Sequence, residues 1–250
     1  MLKNEREREI LNLLKEGDGF STVKELCSLL YASESSIRRD LSVLEKRGVI
    51  RRTYGGAELV TNFSNAIAFN QRAHHNMAAK KIIAKKAASL IHDGDVVFLD
   101  QSSSAFYLAN EIIHNNTLTV VTNNIEILSL MTNSAIKTIS SGGMLSADNR
   151  SCLVGPDAQH IFENVYADVI FFSTKSLSSE GVISDCTREE VLVRGAMIKN
   201  AAKKVFLCDS EKFGTKSAYK QCELSDVDIL VSENDKALHF SSLFPSVKVF

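Results

Sequence analysis

The sequence has no tryptophan and only two prolines and twelve glycines among 250 residues. This composition excludes collagen-like and proline-rich low-complexity chains. No run approaches the roughly 18 apolar residues that a membrane span needs. The opening segment MLKNEREREI is charged where a secretory signal would be apolar. We therefore expect a protein that has no membrane partner and remains in the cytoplasm.

Cysteine is scarce and scattered along the chain. The five cysteines never form a C-x-x-C pair, so neither a disulfide framework nor a zinc site is indicated. The adjacent His74 and His75 have no second cluster of metal-ligating residues in the sequence. We accordingly expect no metal and no cofactor.

Charge is nearly balanced over the whole chain but not locally. The formal net charge of -1 argues against indiscriminate binding of polyanions. Residues 33–54, however, carry three more basic than acidic side chains. A chain of this length suits one small and one medium domain. A focused nucleic-acid site on the smaller domain is compatible with these numbers.

Apolar residues at helical spacing predict three short helices before residue 48. The first covers residues 3–16 and ends at Gly17, and Thr22 caps the second. Ser33 caps the third helix, which runs to about residue 47 and ends at Gly48. The stripes expected to be buried are Val23, Leu26, Leu29 and Leu30 in the second helix and Ile37, Leu41 and Leu44 in the third.

The buried stripe of the third helix turns short hydroxyls and basic side chains toward solvent. Such a face suits a helix in a DNA major groove, where arginines reach guanine edges and hydroxyls bind phosphates. The next segment, residues 49–54, is rich in β-formers and arginines and precedes a Gly-Gly turn, as a phosphate-binding wing does. The candidate DNA-binding residues are Thr22, Ser33, Ser35, Ser36, Arg38, Arg39, Ser42, Lys46, Arg51 and Arg52.

Residues 23–57, which begin VKELCSLLYASESSIRRDL and end TYGGA, closely resemble the DNA-binding signature of the DeoR family of bacterial regulators. The resemblance implies a winged helix-turn-helix in which Ser33, Ser36, Arg38, Arg39 and Asp40 match the recognition-helix motif. Asp40 can hold a neighbouring arginine in register or cap a neighbouring helix. We favour a structural role for it.

Residues 57–75 lack periodicity and are rich in asparagine, which predicts a linker. It would join a DNA-binding domain over residues 1–56 to a second domain over residues 76–250. In the second domain, helical patterns alternate with nearly continuous apolar segments. The predicted strands are 96–100, 118–121, 136–140, 168–172, 204–208 and 228–232, with helices between them. This alternation indicates an α/β fold with a mostly parallel sheet that helices cover on both faces.

Polar residues follow several of these strands, at the edge where open parallel sheets bind ligands. Hydroxyls and free amides at helix N-termini suit a phosphate, glycines allow close approach, and lysines can neutralise its charge. The candidate effector-binding residues are Asp100, Ser102, Ser103, Ser104, Thr122, Asn123, Gly142, Gly143, Lys175 and Lys212. Lys175 can either add a phosphate contact or fill the pocket. Glu189 and Glu190 open a later helix, where we assign their charge to the helix dipole.

The second half also resembles the DeoR family, whose effector domain is similar to the ribose-phosphate isomerase and coenzyme A transferase fold. The residues that carry this resemblance are Asp100 with Ser102-Ser103-Ser104, Thr122-Asn123, Gly142-Gly143, Gly155-Pro156 and Asp209-Ser210-Glu211-Lys212-Phe213-Gly214. It implies that these loops bind phosphorylated sugars or related metabolites.

The patterns predict a sequence-specific DNA-binding protein with an anion-binding domain, and the resemblance to the DeoR family implies a repressor of carbohydrate-metabolism genes that is controlled by a phosphorylated sugar. We expect a homodimer or higher homo-oligomer on double-stranded operator DNA. Two alternatives come from other classes. One is a sugar-phosphate isomerase with Asp100 or Glu190 as base and Lys212 holding the substrate. The other is an oligomeric interaction protein that binds neither DNA nor metabolite.

Overall fold

The computed structural model describes residues 3–16, 20–47, 49–53, 55–59, 69 and 71–250. The chain forms two compact units, Met1–Ala68 and Phe69–Phe250. The helix stops expected at Gly17 and Gly48, Tyr54 in the predicted wing, and residues 60–68 and 70 of the predicted linker lie outside the described residues. No helix in the described ranges is both long enough and apolar enough to cross a bilayer.

The first unit is built from three helices and a small antiparallel sheet. Its elements are α1 Lys3–Glu16, β1 Phe20–Thr22, α2 Val23–Leu30, α3 Glu34–Lys46, β2 Ile50–Thr53 and β3 Gly56–Leu59. Thr22 and Glu25 form a reciprocal capping box at the start of α2, and Ser33 caps α3. The predicted helices and their caps are therefore confirmed.

One predicted core residue of this unit is wrong. Val23, Leu26 and Leu30 of α2 are buried, but Leu29 is 58% exposed. Successive residues turn by about 100° around a helix, so Leu29 lies about 100° away from Leu30 and misses the face that packs. The stripe of α3 is confirmed, because Ile37, Leu41 and Leu44 are all buried.

β3 is the central strand of the small sheet, between β1 and β2. A Cβ atom on Gly56 would lie 2.5 Å from the backbone oxygen of Ser21, so only glycine lets β3 approach β1 this closely. Because β3 runs to Leu59, the first unit extends beyond the predicted boundary at residue 56. The predicted linker also differs at its other end. Phe69 is buried against the edge of the Phe106 ring, and residues 71–74 are helical within the second unit.

The second unit contains a seven-stranded parallel sheet with strand order β15-β14-β12-β9-β4-β5-β6. Its helices are α4 Met77–Ala88, α5 Ser103–Ile112, α6 Ile125–Met131, α7 Pro156–Glu163, α8 Arg188–Lys199 and α9 Leu238–Leu243. Its strands are β4 Val96–Leu99, β5 Thr119–Thr122, β6 Lys137–Ser140, β7 Met144–Leu145, β8 Leu153–Val154, β9 Ala167–Phe172, β10 Ser176–Leu177, β11 Val182–Asp185, β12 Ala201–Leu207, β13 Tyr219–Glu223, β14 Ile229–Val231 and β15 Lys248–Val249. All six predicted strands are present in this sheet.

Alternate residues of the central strands serve two separate cores. Val97 and Leu99 of β4 pack with the helices α4, α5 and α6, whereas Phe98 packs on the opposite face with α7 and α8. Both faces of the sheet are therefore covered, as predicted. This burial explains why the strands are apolar without a polar alternation.

The expectation of helices between the predicted strands is wrong between β12 and β14, where β13 and two 3-10 turns lie instead. β10, β11 and β13 form a separate antiparallel sheet, and β7 pairs with β8 in a hairpin. β11 and β13 are polar and pair across more than thirty residues of sequence. Their pairing leaves no local periodicity from which the sheet could be predicted.

Candidate DNA-binding face and effector site

The exposed face of α3 carries the predicted DNA-binding side chains. Ser35, Arg38, Arg39 and Lys46 are exposed, while Ser36 and Ser42 are partly buried. The Ser33 hydroxyl accepts a hydrogen bond from the Ser36 amide, and it lies 3.1 Å from Ser35 Oγ and 2.9 Å from Ser36 Oγ. The hydroxyls thus gather at the positive end of the helix, where phosphate oxygens are favoured.

A cleft of about 480 Å³ opens beside these hydroxyls. Its lining residues are Arg6, Leu30, Tyr31, Ala32, Ser33 and Ser36. Tyr31 connects α2 to α3 in a left-handed conformation, and its side chain is almost completely exposed.

The basic side chains of this face differ in how they are held. Arg38 Nη2 lies 2.6 Å from Glu34 in an exposed pair, and Arg52 lies 2.8 Å from Glu45. Arg52 also donates to the Ser42 hydroxyl at 2.9 Å. Exposed ion pairs contribute little to stability, so both arginines are available to another anion.

Two further basic residues of α3, Arg39 and Lys46, make no ion pair within the described part of the chain. The side chain of Arg51 is not among those described, although its backbone belongs to β2. Thr22 is partly buried, and its hydroxyl accepts from the Glu25 amide in the cap of α2. The hydroxyl predicted to contact DNA therefore already takes part in the cap of α2.

Asp40 sits in the buried stripe of α3 and points to α1. Its carboxylate accepts a hydrogen bond from Arg6 Nε at 2.5 Å, and Asp40 is 1% exposed. Its partner is therefore an arginine of α1, rather than Arg38 or Arg39. A second pair, Arg47 with Glu7, also joins the end of α3 to α1. These two pairs fix the direction in which α3 projects.

The second unit joins three of the ten predicted effector residues, Asp100, Asn123 and Lys212, into one chain of contacts at the carboxyl edge of its sheet. Lys212 Nζ donates to Ser173 Oγ at 2.6 Å, and the Ser173 amide donates to Asp100 Oδ2 at 3.2 Å. Gln101, which follows Asp100, accepts from Asn123 Nδ2 at 3.3 Å. Four neighbouring strands, β12, β9, β4 and β5, thus contribute to one polar edge.

Arg194 lies at the centre of this edge, 1% exposed. Its Nε is 2.9 Å from Asp100, its Nη1 is 3.0 Å from Asp185, and its Nη2 is 3.9 Å from Glu190. Burial opposes the charge, but the three carboxylates outweigh burial and raise the pKa of the guanidinium above its ordinary value. One cation and three carboxylates leave this cluster with a net negative charge.

Glu190 lies in the first turn of α8, as predicted, and it also has contacts that the prediction did not include. It is buried and accepts hydrogen bonds from Gln101 Nε2 at 2.9 Å and Asn149 Nδ2 at 3.0 Å. The helix dipole alone does not account for such a carboxylate. It belongs to the buried polar network around Arg194.

Two buried polar atoms at the same edge are left without a hydrogen-bond partner in the described structure. They are Ser104 Oγ and Asn123 Oδ1, on residues that are 1% and 0% exposed. An unpaired buried polar group costs about 1 to 3 kcal/mol, so such groups are rare unless something binds them. Ser104 follows β4 and Asn123 follows β5, adjacent strands whose carboxyl ends meet here.

Other predicted effector residues are occupied by the protein itself. Ser102 accepts from the Ala105 amide as the cap of α5, and Thr122 donates to the Leu99 carbonyl. A Cβ atom on Gly143 would lie 2.6 Å from the Val154 oxygen. The backbone at Gly143 does make the close approach predicted for it, but its neighbour is β8 and not an open ligand site.

Gly142 and Lys175 differ from the residues of the polar edge. Gly142 has a positive φ, and a Cβ atom there would meet nothing within 4 Å. Lys175 is exposed, and no contact joins it to the polar edge in the described structure. The possibility that Lys175 fills the pocket is not supported by this exposure.

The sequence reasoning missed Arg194, Gln101 and Asn149. A signal for Arg194 was available, because it shares the buried stripe of α8 with Glu190, Val193 and Met197. A charged residue at a stripe position must find a buried partner. Gln101 and Asn149 carry no such signal in the sequence.

Comparison with known proteins agrees with both halves of this description. Residues 6–63 match the family model described as DeoR-like helix-turn-helix domain. Residues 75–234 match the model described as DeoR C terminal sensor domain.

Curated relatives align over nearly the whole chain. The transcriptional regulator GolR of Listeria innocua is 34% identical over 96% of this chain and 94% of its own length. The transcriptional repressor GlcR of Bacillus subtilis is 32% identical over 93% of this chain and 89% of its own. The L-fucose operon activator of Haemophilus influenzae is 31% identical over 92% of each chain.

Among solved structures, the ribose 5-phosphate isomerase of Methanocaldococcus jannaschii is similar to part of this chain. It is 18% identical with a TM-score of 0.40, over 54% of this chain and 53% of its own. A likeness of this size carries no conclusion about function.

Proposed function

Since the chain belongs to the DeoR family of transcriptional regulators, we propose that it represses carbohydrate-metabolism genes under the control of a phosphorylated sugar. The observation that carries the effector part is the pair of unpartnered buried atoms, Ser104 Oγ and Asn123 Oδ1, at the carboxyl edge of the parallel sheet. A polyhydroxylated ligand supplies the donors and acceptors that these atoms lack.

The two ends of a phosphosugar would meet different chemistry at this edge. The cluster around Arg194 is net negative and fully engaged, so it does not attract a phosphate. The first amides of α5, those of Ser103 and Ser104, have no acceptor within the helix, and Lys212 supplies a cation. We assign the phosphate to α5 and Lys212, and the sugar hydroxyls to Asn123 and its neighbours.

For DNA, we assign base contacts to the exposed face of α3 and phosphate contacts to the hydroxyls at its start and to the β2 arginines. A homodimer or higher oligomer would present two such helices to the halves of a pseudo-palindromic operator. In this proposal the oligomer has two arrangements of its DNA-binding helices. The effector changes operator affinity only to the extent that it binds one arrangement more tightly than the other.

The isomerase alternative is not retained. The curated relatives are regulators. The carboxylate of Asp100 already accepts from Ser102 N, Ser173 N and Arg194 Nε, so it is not a free base.

The test is a mobility shift of DNA from the region upstream of the protein's own gene, with unrelated DNA as competitor and a panel of sugar phosphates. We expect a specific complex that one phosphosugar weakens and its unphosphorylated sugar does not. Lys212→Ala should remove that response, because it deletes the cation assigned to the phosphate. Lys216→Ala, which alters an exposed lysine paired with Glu180, serves as the control. A specific complex that no phosphosugar affects would refute the proposed effector.

A further inference from the structure

The second unit begins with a short segment, residues 71–76, that is held from several sides; we call it the anchor segment. It follows the residues that join the two units along the chain. Lys80 Nζ donates to the carbonyl oxygens of Arg72 and His75, and Tyr107 donates to that of Ala73 at 3.0 Å. Three backbone carbonyls of the segment are therefore paired with side-chain donors rather than with backbone amides.

The anchor segment also contacts the loop that follows β12. Asn76 Nδ2 donates to Asp209 Oδ1 at 3.2 Å, and His75 Nε2 lies 2.7 Å from Glu211 Oε2. Asp209 and Glu211 flank Ser210 at the start of the 3-10 turn Ser210–Lys212. A movement of that turn would therefore change the hydrogen bonds of the anchor segment.

The same turn carries Lys212, the cation assigned to the phosphate. Lys212 Nζ is 3.3 Å from Asp209 Oδ2. Burial alone would raise the pKa of Asp209, but the nearby ammonium and the amide of Asn76 hold it below its usual range. A phosphate that binds Lys212 competes with Asp209 for this cation and repels its carboxylate.

The first turn of α5 makes the second connection between the effector site and the anchor segment. Ser103 Oγ donates to the Arg72 carbonyl at 3.3 Å, the same oxygen that Lys80 holds. Lys80 is only 4% exposed although it is a lysine. Burial, followed by the like charge of Lys212, lowers its pKa to about 8, with Arg72 acting in the same direction and Asp209 and Glu211 against it. The ammonium of Lys80 would therefore interact electrostatically with an anion placed beside Lys212.

We propose that the anchor segment transmits effector occupancy toward the DNA-binding unit, and that the Asp209–Asn76 hydrogen bond is the contact that the phosphate releases. The inference rests on the proposed function. Asp209 turns from Asn76 when the phosphate takes Lys212, and the anchor segment loosens. Lys80 is a positioning residue that holds the segment in the ligand-free state.

Hydrogen exchange of the full-length protein tests this relay, with inorganic phosphate as the probe. In the wild type we expect phosphate to raise the exchange rate of the amides in residues 71–76 at least threefold. Asn76→Gly removes the side-chain contact and keeps the positive φ of that position without strain. In this variant exchange should already be fast, and phosphate should add no further change.

Lys80→Met should likewise exchange quickly without phosphate, because two carbonyls lose their donor. Lys81→Met is the matched control, since Lys81 is an exposed lysine of the same helix and should behave as the wild type. Asn76→Gly keeps the test valid if Lys80→Met fails to fold.

Slower or unchanged exchange in the wild type, while phosphate still raises its thermal stability, overturns the relay and leaves the proposed effector site standing. Variants that respond like the wild type overturn it as well. If neither phosphate nor any phosphosugar binds, the proposed function and the relay both fail.

Discussion

The strongest stability prediction concerns Arg194→Met, which removes the one cation from a buried cluster of three carboxylates. Methionine keeps much of the volume of the side chain, so the main effect is electrostatic. Asp100 and Asp185 each lose a contact of about 3 Å to the guanidinium, and Gln221 loses its donor at 3.0 Å. Asp100 keeps two amide donors, so the carboxylates are not wholly stripped of partners.

Removal of one partner from a buried ion pair typically costs about 3 to 5 kcal/mol. For a domain of this size, each kcal/mol lowers Tm by roughly 2 to 4 °C, so the second unit should melt roughly 6 to 20 °C lower. Scanning calorimetry of the full-length protein measures this shift. Lys216→Met is the control, because Lys216 and Glu180 are both about two-thirds exposed. It should leave the melting temperature almost unchanged, because an exposed ion pair contributes little to stability.

A loss below about 1 kcal/mol for Arg194→Met, similar to that of the control, would contradict the reasoning. It would mean that the three carboxylates are stabilised by their neutral donors alone. The cluster would then have no need of the arginine, and its position in the stripe of α8 would have no electrostatic explanation.

Three further predictions concern the DNA-binding face, the wing and the buried lysine. Arg38→Ala should weaken operator binding by about 1 to 3 kcal/mol if Arg38 reads a base. Arg51→Ala should weaken the binding of all DNA sequences alike and reduce the slope of affinity against salt concentration by about one. Mobility shifts at several salt concentrations distinguish the two variants, and unchanged binding in both would refute the assignment of α3. Gly56→Ala should destabilise the first unit by about 1 to 3 kcal/mol, because its methyl group would lie 2.5 Å from a β1 carbonyl oxygen; an unchanged melting temperature would contradict this. Lys80 has a pKa of about 8 in the folded protein and about 10.4 when unfolded, so the unfolded state binds more protons between these values. Wild-type stability should therefore rise relative to Lys80→Met as pH increases from 8 to about 10, measured by urea denaturation; parallel pH profiles would argue against the depressed pKa.

Much of the architecture was predictable from local patterns. The stripe of Ile37, Leu41 and Leu44 predicted the face of α3 that packs, and hence the face that remains for DNA. Apolar segments that alternate with helices predicted a parallel sheet with both faces covered. The carboxyl edge followed from the parallel sheet, because all its strands end on one side. The antiparallel sheet of β10, β11 and β13 was not predictable, since its pairings join segments distant in sequence.

Three charged residues show where local reasoning stopped. Asp40, Lys80 and Arg194 each occupy a buried stripe position of a helix, and each is at most 4% exposed. Periodicity alone marks all three as charges that must find buried partners. Periodicity does not identify the partners. It also does not show that Asp40 joins two helices, that Lys80 holds the anchor segment or that Arg194 belongs to a polar network.

The sequence by itself thus determined that there are two units, which face of α3 packs, and which edge of the sheet carries polar loops. These follow from periodicity and turn chemistry within single elements, which act over a few residues. Only the tertiary structure decided that Asp40 meets Arg6, that Lys80 holds the carbonyl of Arg72, and that Arg194 joins Asp100. Arg194 and Asp100 are 94 residues apart in sequence, and a charge is satisfied by whichever buried partner the packed elements bring within about 3 Å.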